Sequence, residues 1–417
     1  MQMKAQKISI ERQVMVTTKR KYKHALLAVL LLVQAELFLT PAAARELASP
    51  TQDSITRLWP DNLFAVEFVD AKHGIVAGEY GRVLHTADGG DSWNVGYIGS
   101  PELVRRISYG DPHNVWAVGN RGSIFYSADG GNSWGQQYQE AGVYLRDVSF
   151  VDARHGWAVG HGATILHTVD GGESWQKQQL TGYMGRDLPR LHGVVALSAD
   201  KAVAVGEFGV IAHTENGGEL WVITPVDLQV TWTAIDGQRS ELVVVGLDGN
   251  AGLLTVASNE QRVAIERSLR QQAEEEEARR RRKAQVRKIQ YEPREIEVQL
   301  QVVEYVLTPV ETGIKEHLFD VDYQASGAAV MAGRGVILGL QNHRTLRLEP
   351  ESTLPVQFMW FGGVTVTASR KFVAVGIRGA VVEGDLSDNT YGAKLTVGGP
   401  VPEAITVTAT NWSQNND

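Results

Sequence analysis

Asp88, Asp129 and Asp170 recur forty-one residues apart, each inside one phrase: Thr86-Ala-Asp-Gly-Gly-Asp-Ser-Trp93, Ser127-Ala-Asp-Gly-Gly-Asn-Ser-Trp134 and Thr168-Val-Asp-Gly-Gly-Glu-Ser-Trp175. A divergent fourth copy, Thr214-Glu-Asn-Gly-Gly-Glu-Leu-Trp221, ends on the same tryptophan. Carboxylates beside paired glycines suggest calcium ligation or acid–base work on a glycan. The spacing argues against calcium, because a loop of EF type needs oxygen ligands at alternate positions and a closing glutamate. An Asp in a tight Gly-Gly turn bonds its own backbone amides instead. Asp88, Asp129 and Asp170 are therefore read as turn-formers, and Trp93, Trp134, Trp175 and Trp221 as anchors packed on their blades. A second group is cationic: Arg105, Arg106, Arg146, Arg190 and His192, with Trp232 as an aromatic neighbour. Such a cluster can hold an anion or an acidic partner surface.

The elements that position these residues are repeats. A forty-residue period rich in β-branched residues and turn glycines is the pattern of a propeller blade. A second marker counts the blades. Glycine turns between two apolar strands begin at Gly78, Gly119, Gly160, Gly206, Gly246, Gly333 and Gly376, spaced 41, 41, 46, 40, 87 and 43 residues apart. Seven turns predict an all-β, seven-bladed propeller with one long insertion between blades five and six. Runs such as Val115-Trp-Ala-Val118 and Leu242-Val-Val-Val245 suit strands buried on both faces. Blade seven lacks an evident outermost strand, and the segment around Ser54-Ile-Thr-Arg-Leu-Trp59 is the candidate to supply it. The expected division is a signal peptide over 1–44, closing strand and blades one to five over 45–257, a charged helix over 258–307, blades six and seven over 308–390, and a tail over 391–417.

Aligning blades on their glycine turns puts Phe64, Arg105, Arg146, His192, Trp232, Phe319 and Gly362 in one column, just before each blade's first strand. That place lies at one rim of the central channel, with Arg106 and Arg190 close by. The alternative is local pairing of these arginines with Asp111, Asp147 and Asp152. Histidines do not gather for a metal: His73 and His155 recur at one turn position, and His85, His167 and His213 at another. Ligands of a metal site converge in one place. No metal or cofactor is expected.

The insertion centres on Glu274-Glu-Glu-Glu-Ala-Arg-Arg-Arg-Arg-Lys283. Glu275/Arg279, Glu276/Arg280 and Glu277/Arg281 stand four apart with the acid first, the favoured helical order. The absence of Pro and Gly from Asn259 to Gln290 predicts one solvated helical arm, with a docking element as the rival reading.

Composition bounds the function further. Lys19-Arg-Lys-Tyr-Lys23, the apolar run Ala25 to Val33 and the small residues Pro41-Ala-Ala-Ala44 predict an export signal, cut after Ala44 or kept as an anchor. Removing 1–44 takes away seven Lys+Arg and two Asp+Glu, leaving 33 against 46, a net charge of −13. A nucleic-acid partner needs a basic face and is not expected. There are no cysteines, which excludes disulfides, thiolate metal sites and a cysteine nucleophile.

The phrase Val148-Ser-Phe-Val-Asp-Ala-Arg-His-Gly-Trp-Ala-Val-Gly160, followed by His167-Thr-Val-Asp-Gly-Gly-Glu-Ser-Trp175, resembles the photosystem II stability/assembly-factor family, whose turns are BNR repeats, or Asp-boxes. The likeness is strong over blades one to four and faint beyond. It implies a non-enzymatic seven-bladed propeller that acts in the thylakoid lumen, or in the periplasm of a non-photosynthetic bacterium. Its partner would be a membrane-protein complex, a photosystem or an RND-type exporter. It also implies a partner-binding arginine patch, to which Arg105, Arg106 and Arg146 correspond. The export signal lacks a clear twin-arginine pair, and the charged helix is outside the family pattern. The alternative function is a sialidase-like glycoside hydrolase on the same Asp-box scaffold. It needs three substrate-binding arginines, a Tyr–Glu nucleophile pair and an acid/base carboxyl, and no carboxylate pair stands out.

Overall fold

A computed structural model describes residues 61–395 except 182, 184, 227, 288–303, 352–354 and 368–369. The expected signal peptide, the segment 54–59 and the chain after 395 lie outside the described residues.

Seven antiparallel sheets follow one another, over 63–97, 104–139, 145–178, 191–223, 232–310, 318–347 and 361–395. Each is a four-stranded meander. The inner strand of each blade lies beside the inner strand of the next, and Phe361–Val366 of blade seven lies beside Leu63–Phe68 of blade one, so the ring is closed. One blade cannot cover its own faces, and the ring does so: Leu63, Val66, Val76 and Leu84 form one core with Val373, Val375 and Val381. The second strands of the blades, such as Val115–Gly119 and Gly156–Gly160, are buried along their whole length.

Blade seven does not lack an outer strand. Thr390–Leu395 fills that place and runs into what the sequence suggests is tail. Glu349–Pro350, from the link after blade six, adds a fifth strand parallel to it. This covers the open edge that the sequence assigns to residues near 54–59.

Five of the seven glycine turns, those of blades one, three, four, five and seven, repeat one geometry. After the second strand the chain enters a short 3₁₀ turn whose middle residue sits at positive φ, at Tyr80 (59°), Phe208 (61°), Asp248 (59°) and Arg378 (55°). Gly81 follows at φ 69°, where a Cβ would lie 1.9 Å from the Ser100 carbonyl oxygen. Only glycine meets both conditions.

The insertion sits elsewhere than expected. Helix α1 (Asn259–Arg287) leaves after the third strand of blade five, Ala251–Val256, and the chain returns as that blade's fourth strand, Tyr305–Val310. It therefore interrupts the outer hairpin of blade five rather than lying between blades five and six, and it replaces that blade's Asp-Gly-Gly turn. Pro309 makes Tyr305–Val310 weak as a sequence signal, and an outermost strand tolerates it. Ser258 and Gln261 cap the helix reciprocally: Gln261 N–H donates to Ser258 Oγ at 3.2 Å and Ser258 N–H to Gln261 Oε1 at 2.8 Å. The helix has 29 residues and none is buried. Residues 288–290 of the expected helix lie outside the described residues. Of the expected charge ladder the structure has Arg280 on Glu277 at 3.2 Å, three residues apart rather than four.

Candidate functional site: an arginine rim above an acidic channel

The register of every blade shifts by one residue just after its inner strand begins. Leu63 pairs with Gly78 and Ala65 with Ala77, skipping Phe64; Arg105, Arg146, His192, Thr233, Phe319 and Gly362 are skipped in the same way. A bulge re-aims the extra side chain. Because Leu63 faces Gly78, these seven positions share one end of the propeller with the glycine turns. The Asp-Gly-Gly hairpins, which follow the third strands, lie at the other end.

Six positions of the expected column are right and one is displaced. Trp232 is 0% exposed in the core between blades four and five. Thr233 holds the rim position and donates to the Leu318 carbonyl at 2.7 Å. The forty-residue spacing at that blade shifted the alignment by one.

On blades two to four the column is continuous, with two arginines followed by a histidine. Arg105 lies over the Phe64 ring at 5.0 Å, and Phe64 stacks on Trp360 at 5.1 Å. Arg146 Nε donates to His192 Nδ1 at 3.2 Å. Arg190 is 58% exposed and lies 3.6 Å from Glu207. Burial, then repulsion by Arg146 and Arg106, lowers the Arg105 pKa to about 9. Burial, then Arg106 and Arg190, also lowers that of Arg146. His192 falls to about 3 through burial and then the field of Arg146, so it is neutral and accepts from the guanidinium. These shifts mark Arg105 and Arg146 as partly buried cations that face one another, offset at Arg146 by Glu207, a setting that favours a negative ligand.

Arg106, one residue from Arg105, belongs elsewhere. Its guanidinium crosses the channel to Asp320 Oδ1 at 2.6 Å, lies 3.7 Å from Asp147 Oδ1, and donates to the Gly362 carbonyl at 3.3 Å. It is consumed inside the ring and is no part of the rim. The suspected local pairing thus holds for Arg106 with Asp147. Asp111 and Asp152 instead accept backbone N–H groups of their own turns.

Of the channel acids, sequence reasoning named Asp147 only as a local partner of an arginine and missed Asp236, Asp320 and Asp322. Asp147 accepts from Val194 N–H at 2.8 Å, Asp236 from Tyr323 at 2.7 Å, Asp320 from Val364 at 2.8 Å and Asp322 from Val366 at 2.7 Å. Each bond runs from one blade to the next, and Ser108 and Ser149 do the same through their hydroxyls. Burial pushes the Asp147 carboxyl up to about 7 and raises Asp236, Asp320, Asp322 and Glu67; neighbouring aspartates add to the effect at Asp236, Asp322 and Glu67, and Arg106 opposes it at Asp320. The signal was present as Asp147-Val-Ser149 and Asp320-Val-Asp322, polar residues at alternate places in an otherwise apolar strand.

At the far end, the turn aspartates are fully occupied. Asp88 accepts from Thr86 Oγ1 at 2.8 Å, Ser92 N–H at 2.9 Å and Ser92 Oγ at 2.6 Å; Asp129 and Asp170 repeat the set. The serine and threonine hydrogen bonds hold all three near 2, and no ligand is needed to stabilise the charge. The tryptophans lock neighbouring blades, not their own blade alone. Trp134 rests on a core shared by blades one and two, and Trp175 on one shared by two and three. Trp93 meets Phe68 edge-on, beside the blade seven core. Trp221 is fully buried and donates from Nε1 to Gln178 of blade three at 2.9 Å. His155 and His73 bond the turn acids Asp152 and Asp70, and His167 stacks on Trp157 at 4.2 Å, as scaffold.

Among the described residues no helix is long and apolar enough to cross a membrane. Residues 140–257 match the family model described as Photosynthesis system II assembly factor YCF48. No curated protein matches the chain. Two similar solved structures are YCF48 bound to D1 peptide (14% identity, 78% of this chain and 92% of that one, TM-score 0.53) and YCF48 from Cyanidioschyzon merolae (14%, 80% and 98%, TM-score 0.53). An ancestral GH74 enzyme is also similar (12%, 81% and 46%, TM-score 0.53). The chain is thus similar in its third and fourth blades and the first three strands of its fifth to the YCF48 family, and in its fold to YCF48 and GH74 propellers.

Proposed function

With a YCF48-like seven-bladed propeller as the premise, we propose that this chain is an exported, non-catalytic scaffold that binds a polypeptide segment of a membrane-protein complex at the rim of blades two to four. The observation that carries the reading is the row Arg105–Arg146–His192, whose two arginines face one another beside the Phe64–Trp360 stack. Cations and aromatic faces together suit an acidic or carboxylate-bearing peptide. The likeness to a YCF48 structure that holds a D1 peptide supports a peptide as ligand. The signal-like sequence over 1–44 supports action in the periplasm, or in the thylakoid lumen of a phototroph. The complex served is a photosystem or an RND-type exporter.

The GH74 likeness favours the hydrolase alternative only through the fold. Glycoside hydrolysis needs two free carboxyls flanking a bond. The channel carboxyls Asp147, Asp236, Asp320 and Asp322 are instead engaged with backbone N–H groups between blades.

Affinity capture from detergent-solubilised membranes of the source organism tests the reading. The wild-type chain is expected to retain subunits of one complex, and the R105E/R146E variant to lose them with an unchanged circular dichroism spectrum. Capture should also weaken as salt rises, since exposed charges are screened beyond about 8–10 Å. Equal capture by both proteins contradicts the proposal.

A further inference from the structure

We propose that His161 is the proton-taking member of the rim: when an acidic segment seats on Arg105 and Arg146, the His161 imidazole gains a proton, so that capture strengthens as pH falls. The inference rests on the rim reading above and adds to it a residue and a means of control.

The turn that carries His161 leaves its side chain unused. In blades one, two and four, the residue after the first glycine of the turn spends its side chain on the propeller. Glu79 Oε2 accepts the Asn62 N–H at 3.1 Å, Asn120 Oδ1 the Leu103 N–H at 3.3 Å, and Glu207 Oε2 the Arg190 N–H at 3.0 Å. Each donor stands just before its blade's inner strand. His161 holds the same place in blade three, where Tyr144 is the corresponding donor. Among the described residues its ring makes no such bond. Its backbone alone ties the turn: His161 N–H donates to the Tyr144 carbonyl at 2.9 Å, and its carbonyl accepts from Thr164 Oγ1 at 2.7 Å. The imidazole instead stacks on the half-exposed Tyr144 ring, with centroids 5.3 Å apart and planes 28° apart.

That stack sets the ring among the rim cations. Gly160 pairs with Leu145, and Arg146 is the bulged residue that follows. Ala163 N–H donates to the Pro189 carbonyl at 2.7 Å, which fastens the same turn to the entry of blade four beside Arg190. The charged groups facing the imidazole are therefore Arg146, Arg190 and Arg105, with Glu207 opposing them, and His192 stands next to it. Burial, then Arg146 and Arg190, holds His161 below the usual histidine range.

A bound carboxylate reverses this balance, because a nearby opposite charge favours the imidazolium. His192 does not serve in the same way: it is held to about 3 and its Nδ1 accepts from Arg146. A permanent cation in the place of His161 would add repulsion to the empty rim, whereas a histidine adds charge only when a ligand is present. The complex holds one more proton than the free chain. The gain in affinity is thus fully present below the His161 value of the free chain, and it is lost as pH rises through the value in the complex.

A dye-labelled hexaglutamate peptide is the probe, titrated onto the full chain and followed by fluorescence anisotropy. Its side chains ionise at about 4.3, so its charge is nearly constant between about pH 5.5 and about pH 8. The wild type is expected to bind it about fivefold more tightly at the lower pH, since each unit by which a ligand raises a pKa is worth up to tenfold in affinity. His161→Gln, with an unchanged circular dichroism spectrum, should bring that ratio to about one. A purely structural role would change affinity at both pH values and leave the ratio alone. In parallel, the His161 Cε1–H resonance, assigned by its loss in His161→Gln, should titrate at a higher midpoint with hexaglutamate than without. The inference is overturned by a wild type that binds equally at both pH values, by a His161→Gln variant that keeps the wild-type ratio, or by a midpoint that the peptide leaves unmoved. Failure of the rim reading looks different: the wild type then binds no better than R105E/R146E at either pH, and both readings fall together.

Discussion

Arg105 and Arg106 are neighbours in sequence and opposites in environment. Arg105 stands on the bulge, over the Phe64 ring, with other cations for company. Arg106 points into the channel and joins Asp320 and Asp147 from two other blades. One layer of the inner strands thus concentrates charge of one sign and leaves it open, while the next layer concentrates the other sign and closes it with hydrogen bonds. A charged residue whose partners are all internal holds the ring together. One whose neighbours share its sign strains the ring and is kept for something outside it.

The largest effect should come from breaking the closed layer. Arg106→Gln leaves two buried carboxyls without their cation, and removing one partner of a buried pair costs about 3–5 kcal/mol. The urea midpoint should fall accordingly. Arg106 that can be replaced at a cost under about 0.5 kcal/mol, the ordinary cost of a surface change, refutes the closed-layer account.

The inter-blade anchors come next. Trp221→Ala removes a fully buried ring that joins blades three and four, a loss of about 3–5 kcal/mol. Trp93, Trp134 and Trp175 are only half-buried against their cores, so each alanine variant should lose about half as much. Equal losses at all four positions mean that the hairpins are not graded by burial.

A smaller effect is pH dependence. The folded Asp147 carboxyl is raised to about 7, against about 3.9 in an unfolded chain. The native state therefore binds more protons across this window, and stability should fall as pH rises from about 4 through about 7. The turn aspartates, held near 2, act oppositely: their contribution is present above about 4 and is lost as pH falls through about 2. Urea midpoints between these limits should decline toward neutrality in the wild type and decline less in Asp147→Asn. An unchanged slope in the variant removes Asp147 from the explanation.

Much of the propeller was legible because its determinants are local. Each Asp-Gly-Gly phrase closes its own turn, and each apolar run such as Trp157-Ala-Val159 is a buried strand wherever it occurs. The rim was legible on blades two to four for the same reason. What escaped depends on register. A bulge of one residue separates Arg105 from Arg106 and Thr233 from Trp232, and nothing in the spelling of those strands announces it. The channel aspartates escaped because their partners are backbone amides of the next blade, some forty to ninety residues away in sequence. The placing of α1 failed because Tyr305–Val310, carrying Pro309 and two exposed positions, does not read as a strand until it pairs with Ala251–Val256.

The most direct test sets Arg105→Gln beside Arg106→Gln and measures both the urea midpoint and retention of membrane-complex subunits. Arg105→Gln relieves repulsion from Arg146, so it should keep or slightly raise the midpoint while retention is lost. Arg106→Gln should lower the midpoint strongly. If Arg105→Gln retains the complex as the wild type does, or unfolds as early as Arg106→Gln, the division between an open binding rim and a closed structural channel is wrong.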